Sequence, residues 1–490
     1  MIRTAGLGLV AAVGVAAAGC AAVGPDYAPP EPAVPSVWHA ELAPGVSTAV
    51  EEPEALGRWW ATLDDPVLTR LVERAVAGNL ELKRAQARVR EARARRRQVA
   101  ADYLPSLDAS ASVNRQRSSE ETGAGGASGP GFAIGPDTTR TLYSTGFDAS
   151  WELDLFGGSR RAVEAATASL QASQEDLRHT LVSLLSEVGQ NYVDVRTTQA
   201  RIAIAERNLD VQRETYEIAR FRFEAGLVTQ LDVEQARYNL EQTSAAIPAL
   251  RIQLAEARHR LAVLLGDQPG SLDAELAAAA AVPDVPAGVA IGVPAGVLRR
   301  RPDVRRAERE LAAQTARVGV ATAELYPAFS LIGSIGLEAL SLSNLFTASA
   351  RTAALGATGL WTVFDAGRLR ANVRIESALQ EQALLAYESA VRTALEETEN
   401  ALVAFAEEQA RRSALRAGTA AAERAATLAR QQYESGLLDF QQVLDAQRTL
   451  LSLQDQLAAS EGAVVSNLIA LYKALGGGWT PGAAGSDGTP

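Results

Sequence analysis

The chain has 490 residues, a formal net charge of −11 and a single cysteine, and only 5% of its residues are aromatic. An acidic balance of that size argues against a nucleic-acid binder, which needs a broad basic surface, and one cysteine excludes an internal disulfide. The length would support a large core. Alanine dominates the periodic stretches, however, and small side chains suit close helix–helix approach better than a thick globular interior.

Arg3 precedes an apolar run from Ala5 to Ala18 that ends in Ala17-Ala18-Gly19-Cys20. A positive start, a short apolar stretch and small residues before a cut predict a secretory signal over residues 1–19. Cys20 looks like the cysteine of a bacterial lipobox, lipidated after cleavage; an ordinary signal with an incidental cysteine is the alternative. Ala21 and Ala22 follow instead of acidic residues, a pattern similar to that of outer-membrane lipoproteins. No later stretch offers 18 or more uncharged apolar residues. The mature chain therefore either hangs from acyl chains, at about 0.8 kcal/mol per buried methylene, or crosses a membrane by strands.

Residues 20–64 read as a proline-rich arm with Trp38, Trp59 and Trp60 as anchors. Over 65–105, Leu68, Leu71, Val72, Ala75, Leu82, Ala85 and Val89 recur at helical spacing, until Tyr103-Leu104-Pro105 stops the helix. In 106–156, Leu107, Ala109, Ala111 and Val113 alternate with polar residues. Tyr143, Thr145, Phe147, Ala149, Trp151, Leu153 and Leu155 then do the same. This predicts a β-hairpin whose apolar face fits lipid, with Tyr143 and Trp151 as interfacial side chains. Residues 157–270 predict a long helical hairpin. Its first helix, from Arg160 to Ala225, would run roughly 100 Å at about 1.5 Å per residue, and Pro248 is expected to bend its return helix. A linker over 271–302 is rich in proline and glycine. A second short helix (303–327), a second β-hairpin (328–365) and a second long helical hairpin (366–476) follow, with a disordered tail over 477–490.

The second half repeats the first. Ala219-Arg220-Phe221-Arg222-Phe223-Glu224-Ala225-Gly226-Leu227 returns as Ala429-Arg430-Gln431-Gln432-Tyr433-Glu434-Ser435-Gly436-Leu437, and the match continues through Val233/Val443, Ala236/Ala446 and Leu240/Leu450. The pattern predicts an internally duplicated α+β membrane protein with four strands per chain. Four strands cannot close a membrane barrel, and each backbone group left unpaired in lipid costs several kcal/mol, so several chains would have to close one together.

Further short phrases accompany this layout: Gly24-Pro25-Asp26-Tyr27, Trp59-Trp60 before Asp65-Pro66, Trp151-Glu152-Leu153-Asp154-Leu155-Phe156-Gly157, Arg301-Pro302-Asp303-Val304, Tyr326-Pro327 and Phe364-Asp365-Ala366-Gly367. In this order, with both Gly-Leu turns and the Cys20 lipobox, the chain resembles the TolC-like outer-membrane factor family, in its lipoprotein branch serving tripartite efflux systems. The resemblance implies a homotrimer: one twelve-stranded barrel in the outer membrane, continued by a long α-helical barrel in the periplasm. It implies a passive exit duct for small molecules, served by a periplasmic adaptor and an inner-membrane transporter of the RND type. It implies no enzyme activity and no cofactor beyond lipid on Cys20. Heavy-metal efflux and type I protein secretion are the alternatives within the fold, and a lipid-tethered scaffold lies outside it. By the resemblance, the turns at Gly226, Leu227, Gly436 and Leu437 dock the adaptor. Glu396, Glu399 and Asn400, with Glu397 beside them, supply a constriction near the periplasmic tip. His39, His179 and His259 are scattered and offer no metal-ligand spacing.

Overall fold

The structure is a computed structural model that describes residues 22–32, 34–49, 56–117, 139–286 and 288–480. Cys20 and the signal lie outside them. In chain order the elements are β1 (Val46–Ser47), α1 (Pro66–Gly78), α2 (Leu80–Ala101), β2 (Ser106–Arg117), β3 (Thr139–Leu153), α3 (Gly158–Glu224) and α4 (Gln230–Leu265). The second half has β4 (Val289–Ala290), α5 (Pro294–Arg300), α6 (Pro302–Ala323), β5 (Ala328–Ala339), β6 (Arg351–Leu360), α7 (Arg368–Glu434) and α8 (Phe440–Ala474). The chain separates into two compact units, one of residues 1–29, 91–170 and 309–384, the other of 30–90, 171–308 and 385–490.

The first unit holds the antiparallel sheet, in the order β2-β3-β5-β6, so β2 and β6 are its edges. Register aligns Ala109 with Phe147, Phe147 with Ile335 and Ile335 with Ala353, and one step away Asp108 with Asp148 and Asp148 with Ser334. Cross-strand partners share a face, so one face is apolar and the other carries carboxylates, hydroxyls and glycines. Two tryptophans tie the sheet to the preceding helices in the same way. Trp151 Nε1 donates to the Tyr103 carbonyl at 2.9 Å, and Trp361 Nε1 to the Leu325 carbonyl at 3.2 Å, each acceptor standing two residues before a proline. Carboxylates then start the long helices: Asp154 accepts from the Ser159 and Arg160 amides, and Asp365 from those of Gly367 and Leu369. These bonds, the Leu369 amide first, hold the Asp365 carboxyl below the usual carboxylate range.

The start of the arm is pinned in this unit. Arg161 is only 5% exposed, yet its guanidinium bonds Asp26 at 2.6 Å and the carbonyls of Val23 and Gly24. Gly24 has φ 89°, and a Cβ there would lie 2.5 Å from the Gly319 Cα, so only glycine fits.

The second unit has a buried aromatic core. Trp59, 1% exposed, stacks on Tyr472 at 5.7 Å and meets Trp60 edge-on at 6.0 Å. The Tyr192 hydroxyl donates to Asp65 at 2.6 Å and accepts from Arg196 at 3.0 Å; burial, then Asp65, pushes it up to about 12. Asp65 also caps α1, accepting from the Val67 and Leu68 amides, with Pro66 in the first helical position.

Three expectations need correction. The helix expected over 65–105 is two, because Asn79 interrupts it. Its Oδ1 caps α2 at the Leu82 amide and its Nδ2 donates to the Leu264 carbonyl at 2.8 Å. A Cβ at the adjoining Gly78 would come within 2.0 Å of the Leu265 carbonyl oxygen. The linker is less irregular than its composition suggests: it contains α5, and its β4 pairs in parallel with β1 of the arm. The tail expected to be disordered is packed as far as Thr480. Trp479 is 7% exposed, with the guanidinium of Arg178 4.8 Å and that of Arg305 5.4 Å from its ring centre. The Gly478 amide bonds the Leu56 carbonyl.

Trp479→Ala should lower stability by about 3–5 kcal/mol, the usual cost of truncating a buried large aromatic. Thermal unfolding of the purified protein checks this; an unchanged midpoint would show that the tail packs without holding the core.

Candidate functional site

The two duplicated turns share one backbone. Gly226 and Gly436 have φ 72° and 74°, a left-handed geometry that glycine adopts without strain. Each turn closes with the same bonds: the Gly226 amide to the Phe223 carbonyl and the Leu227 amide to that of Arg222, then Gly436 to Tyr433 and Leu437 to Gln432. Leu227 and Leu437 project outward, 73% and 78% exposed. The return helices start differently. Thr229 and Asp232 form a reciprocal capping box on α4, whereas Asp439 makes no side-chain cap bond to α8. Behind the turns Ala219, Ala236, Tyr433, Phe440, Val443 and Leu444 form a small apolar cluster, with the Arg222 guanidinium 4.4 Å over the Tyr433 ring.

The next layer is polar. Arg448 on α8 donates to Asn239 on α4 at 2.7 Å and to Asp445 at 3.2 Å. Gln447 donates to Thr215 on α3 at 2.8 Å, and Arg201 grips Asp455 with two bonds of 2.7 and 3.1 Å. A cavity of about 470 Å³ opens here, lined in part by Gln212, Asn239, Thr243, Leu250, Arg448 and Asp455. The sequence reading passed over Asp445 and Arg448. The signal was present: both sit inside the repeated phrase, opposite Gln235 and Tyr238 of the first copy, where a charge appears in only one repeat.

The residues expected to form a constriction stand along α7, away from the turns. Along α7, Asn400 stands about ten helical turns from Gly436, not beside the turn. Glu396 and Asn400 are exposed, Thr398 is fully buried, and Glu399 is half-buried. The Glu399 carboxylate accepts from the His39 amide at 2.8 Å and the Ala40 amide at 2.9 Å, clasping the arm, while Trp38 Nε1 donates to the Gly292 carbonyl. Glu397 pairs with Arg301, which also grips Asp303 and donates to the Ala474 carbonyl. Burial would raise the Asp303 carboxyl, but the bond and charge of Arg301 hold it below its ordinary value. Its contribution to stability is therefore complete above the ordinary carboxylate range and is lost as pH falls through that depressed value.

A family model described as "Outer membrane efflux protein" matches residues 71–267 and 293–477. The chain belongs to the outer membrane efflux protein family. Nodulation protein T of Rhizobium leguminosarum bv. trifolii is 33% identical over 464 residues, covering 94% of this chain and 95% of its own length. Outer membrane protein OprJ of Pseudomonas aeruginosa is 31% identical over 474 residues, covering 95% and 94%. Among solved structures, the outer-membrane channel OprN superposes with a TM-score of 0.86 at 37% identity, over 94% of this chain and all of that one. The protein is an outer-membrane exit duct of a TolC-like efflux system, not an enzyme. Among the described residues no cluster of side chains could hold a metal ion, and no helix is long and apolar enough to cross a membrane.

Glu399→Ala should free the His39 and Ala40 amides. A bond to a partly exposed carboxylate is worth about 1 kcal/mol, so hydrogen exchange at these amides should quicken about five-fold while thermal stability changes little. Unchanged exchange would show that the arm is held by Trp38 and the β1–β4 pairing alone.

Proposed function

We propose that three copies of the chain form one channel, each giving four strands to a closed twelve-stranded barrel and its helices to a periplasmic tunnel. The observation that carries this is the sheet. It has one apolar face, one polar face and two open edges, β2 and β6. In lipid those edges are too costly to leave unpaired, and pairing β6 of one copy with β2 of the next satisfies both at once. The polar face then lines the lumen.

In this reading Cys20 carries the lipid anchor. The docked arm supports that placement, since Ala22 lies against Gly157 at the base of the sheet, where a Cβ on the glycine would come within 2.5 Å of it. The turns at Gly226-Leu227 and Gly436-Leu437 receive the tips of a periplasmic adaptor, which joins the duct to a proton-driven RND-type transporter. Their identical backbones and outward leucines fit two equivalent docking points. The cargo is small molecules, moved passively. Relatives include an outer membrane protein of a toluene efflux pump and a pyoverdine export protein of two Pseudomonas species, and this range favours small-molecule cargo over secreted protein. Heavy-metal export is the second reading, favoured by 30% identity over 475 residues to a cation efflux system protein of Escherichia coli.

Purified protein in planar bilayers should show a steady conductance, and Leu227→Asp with Leu437→Asp should leave it unchanged. In cells carrying the cognate pump, the same pair should reduce efflux at least ten-fold, because two carboxylates oppose an apolar contact. No conductance from folded wild-type protein would defeat the duct reading, and normal efflux by the pair would defeat docking at the turns.

A further inference from the structure

The strands carry four carboxylates and four arginines, and the register sorts them by face. Asp108, Asp148, Glu152 and Glu338 all lie on the polar face, together with Arg140. Arg115, Arg117 and Arg351 lie on the apolar face: Arg115 is partnered by Thr141, in the row parity of Val113 and Tyr143, and Arg351 is partnered by Leu337. All three are exposed. No carboxylate of the four strands shares that face.

Their height is also set by register. Arg115 and Arg117 end β2, and Arg351 begins β6, so all three stand at the end of the sheet away from α2, α3 and α7. Arg115 is about nine residues from the base of β2, and Arg351 the same from the base of β6. At about 3.4 Å per residue along a strand tilted by about 40°, nine residues rise close to the 25 Å of a barrel's apolar band. With the helices in the periplasm, this end meets the outer leaflet. An arginine facing hydrocarbon is costly at the midplane but tolerated at its rim, and three there with no strand carboxylate on their face among the described residues suit an anionic neighbour from the membrane itself.

We infer that Arg115, Arg117 and Arg351 bind the phosphates of lipid A, the acylated phosphoglycolipid of the outer leaflet, on the outside of the barrel. The guanidinium fork matches a phosphate in two-bond geometry. Below the arginines Val113, Ala111, Leu337 and Ile335 continue the apolar face toward the base and accept the acyl chains. This inference rests on the duct reading, because closure of the barrel brings β6 of one copy to β2 of the next. It thereby gathers Arg351 and the Arg115–Arg117 pair along one seam.

The test uses the purified full-length protein in detergent, with bisphosphorylated lipid A and its dephosphorylated form as probes in native mass spectrometry. Wild type should bind the phosphorylated lipid at least ten-fold more tightly. The triple variant R115Q/R117Q/R351Q should lose that preference, and R140Q, on the other face, should keep it. Equal binding of the two lipids by wild type overturns the site without depending on any variant's folding. So does an undiminished preference in the triple variant, or displacement of lipid A by an equal concentration of phosphatidylglycerol. Conductance of the same wild-type preparation separates the two failures. A conducting trimer indifferent to phosphate sinks the lipid site alone, whereas a preparation that neither assembles nor conducts sinks the duct and the site together.

Discussion

The unpaired edges of β2 and β6 are the constraint on which the rest depends. Each edge presents a row of backbone donors and acceptors, and in hydrocarbon every one left without a partner costs several kcal/mol. Among the described residues the sheet order places β3 and β5 inside and leaves both edges without a strand partner, a cost that side chains do not remove. Only another strand removes it. The two faces reinforce the demand, since carboxylates confined to one face need a wet interior, and an interior exists only once the sheet is closed.

Duplication solves the geometry economically but does not produce a symmetric protein. Both repeats use a tryptophan bonded to a carbonyl ahead of a proline, a carboxylate at the start of a long helix, and a glycine turn with an outward leucine. The segments outside the repeats break the symmetry. The arm is held at Arg161 in the first unit, and at Glu399 and Gly292 in the second. The tail packs the Trp479 ring against two arginines. Ion pairing is also unequal: Arg301 grips Asp303 and Glu397, whereas Arg70 and Arg74 of α1 pair with Glu275 and Asp267.

How much of this was legible depended on whether the deciding contacts were local. Alternation marked β2 and β3 and their apolar face, since period two is written along each strand, and marked β5 and β6 more weakly, with Ile332 and Leu360 on the other side. Their order and register were not written there, because neither repeat specifies that β3 pairs with β5. The Gly226 and Gly436 turns were legible because duplication marks them twice. The interruption at Asn79 was not, because Leu82 and Val89 stay in phase with Leu68 and Leu71 across it. Its cause is the distant carbonyl of Leu265, which leaves room at position 78 for glycine alone. Trp479 was hidden by its glycine-rich setting, and its two arginine partners stand far away in sequence. The partners of Glu399 were not legible either, because they are backbone amides of the arm, from the other end of the chain.

The distribution of apolar and polar packing within the second unit says where this duct can change shape. Around Trp59, Tyr472 and Tyr192 the contacts are buried aromatic stacks and a closed hydrogen-bond chain, and separating them would expose apolar surface all at once. Near the turns the helices are held by Arg448 on Asn239, Gln447 on Thr215 and Arg201 on Asp455, beside a cavity. Such bonds exchange with water at small net cost, and regions with few buried apolar contacts are the ones that open first. A passive duct needs both kinds of packing: a stiff core within this unit, and helices that can re-pair. The exchangeable bonds lie beyond the small apolar cluster that backs the exposed leucines, so the helices can re-pair there while the two turns stay packed on each other.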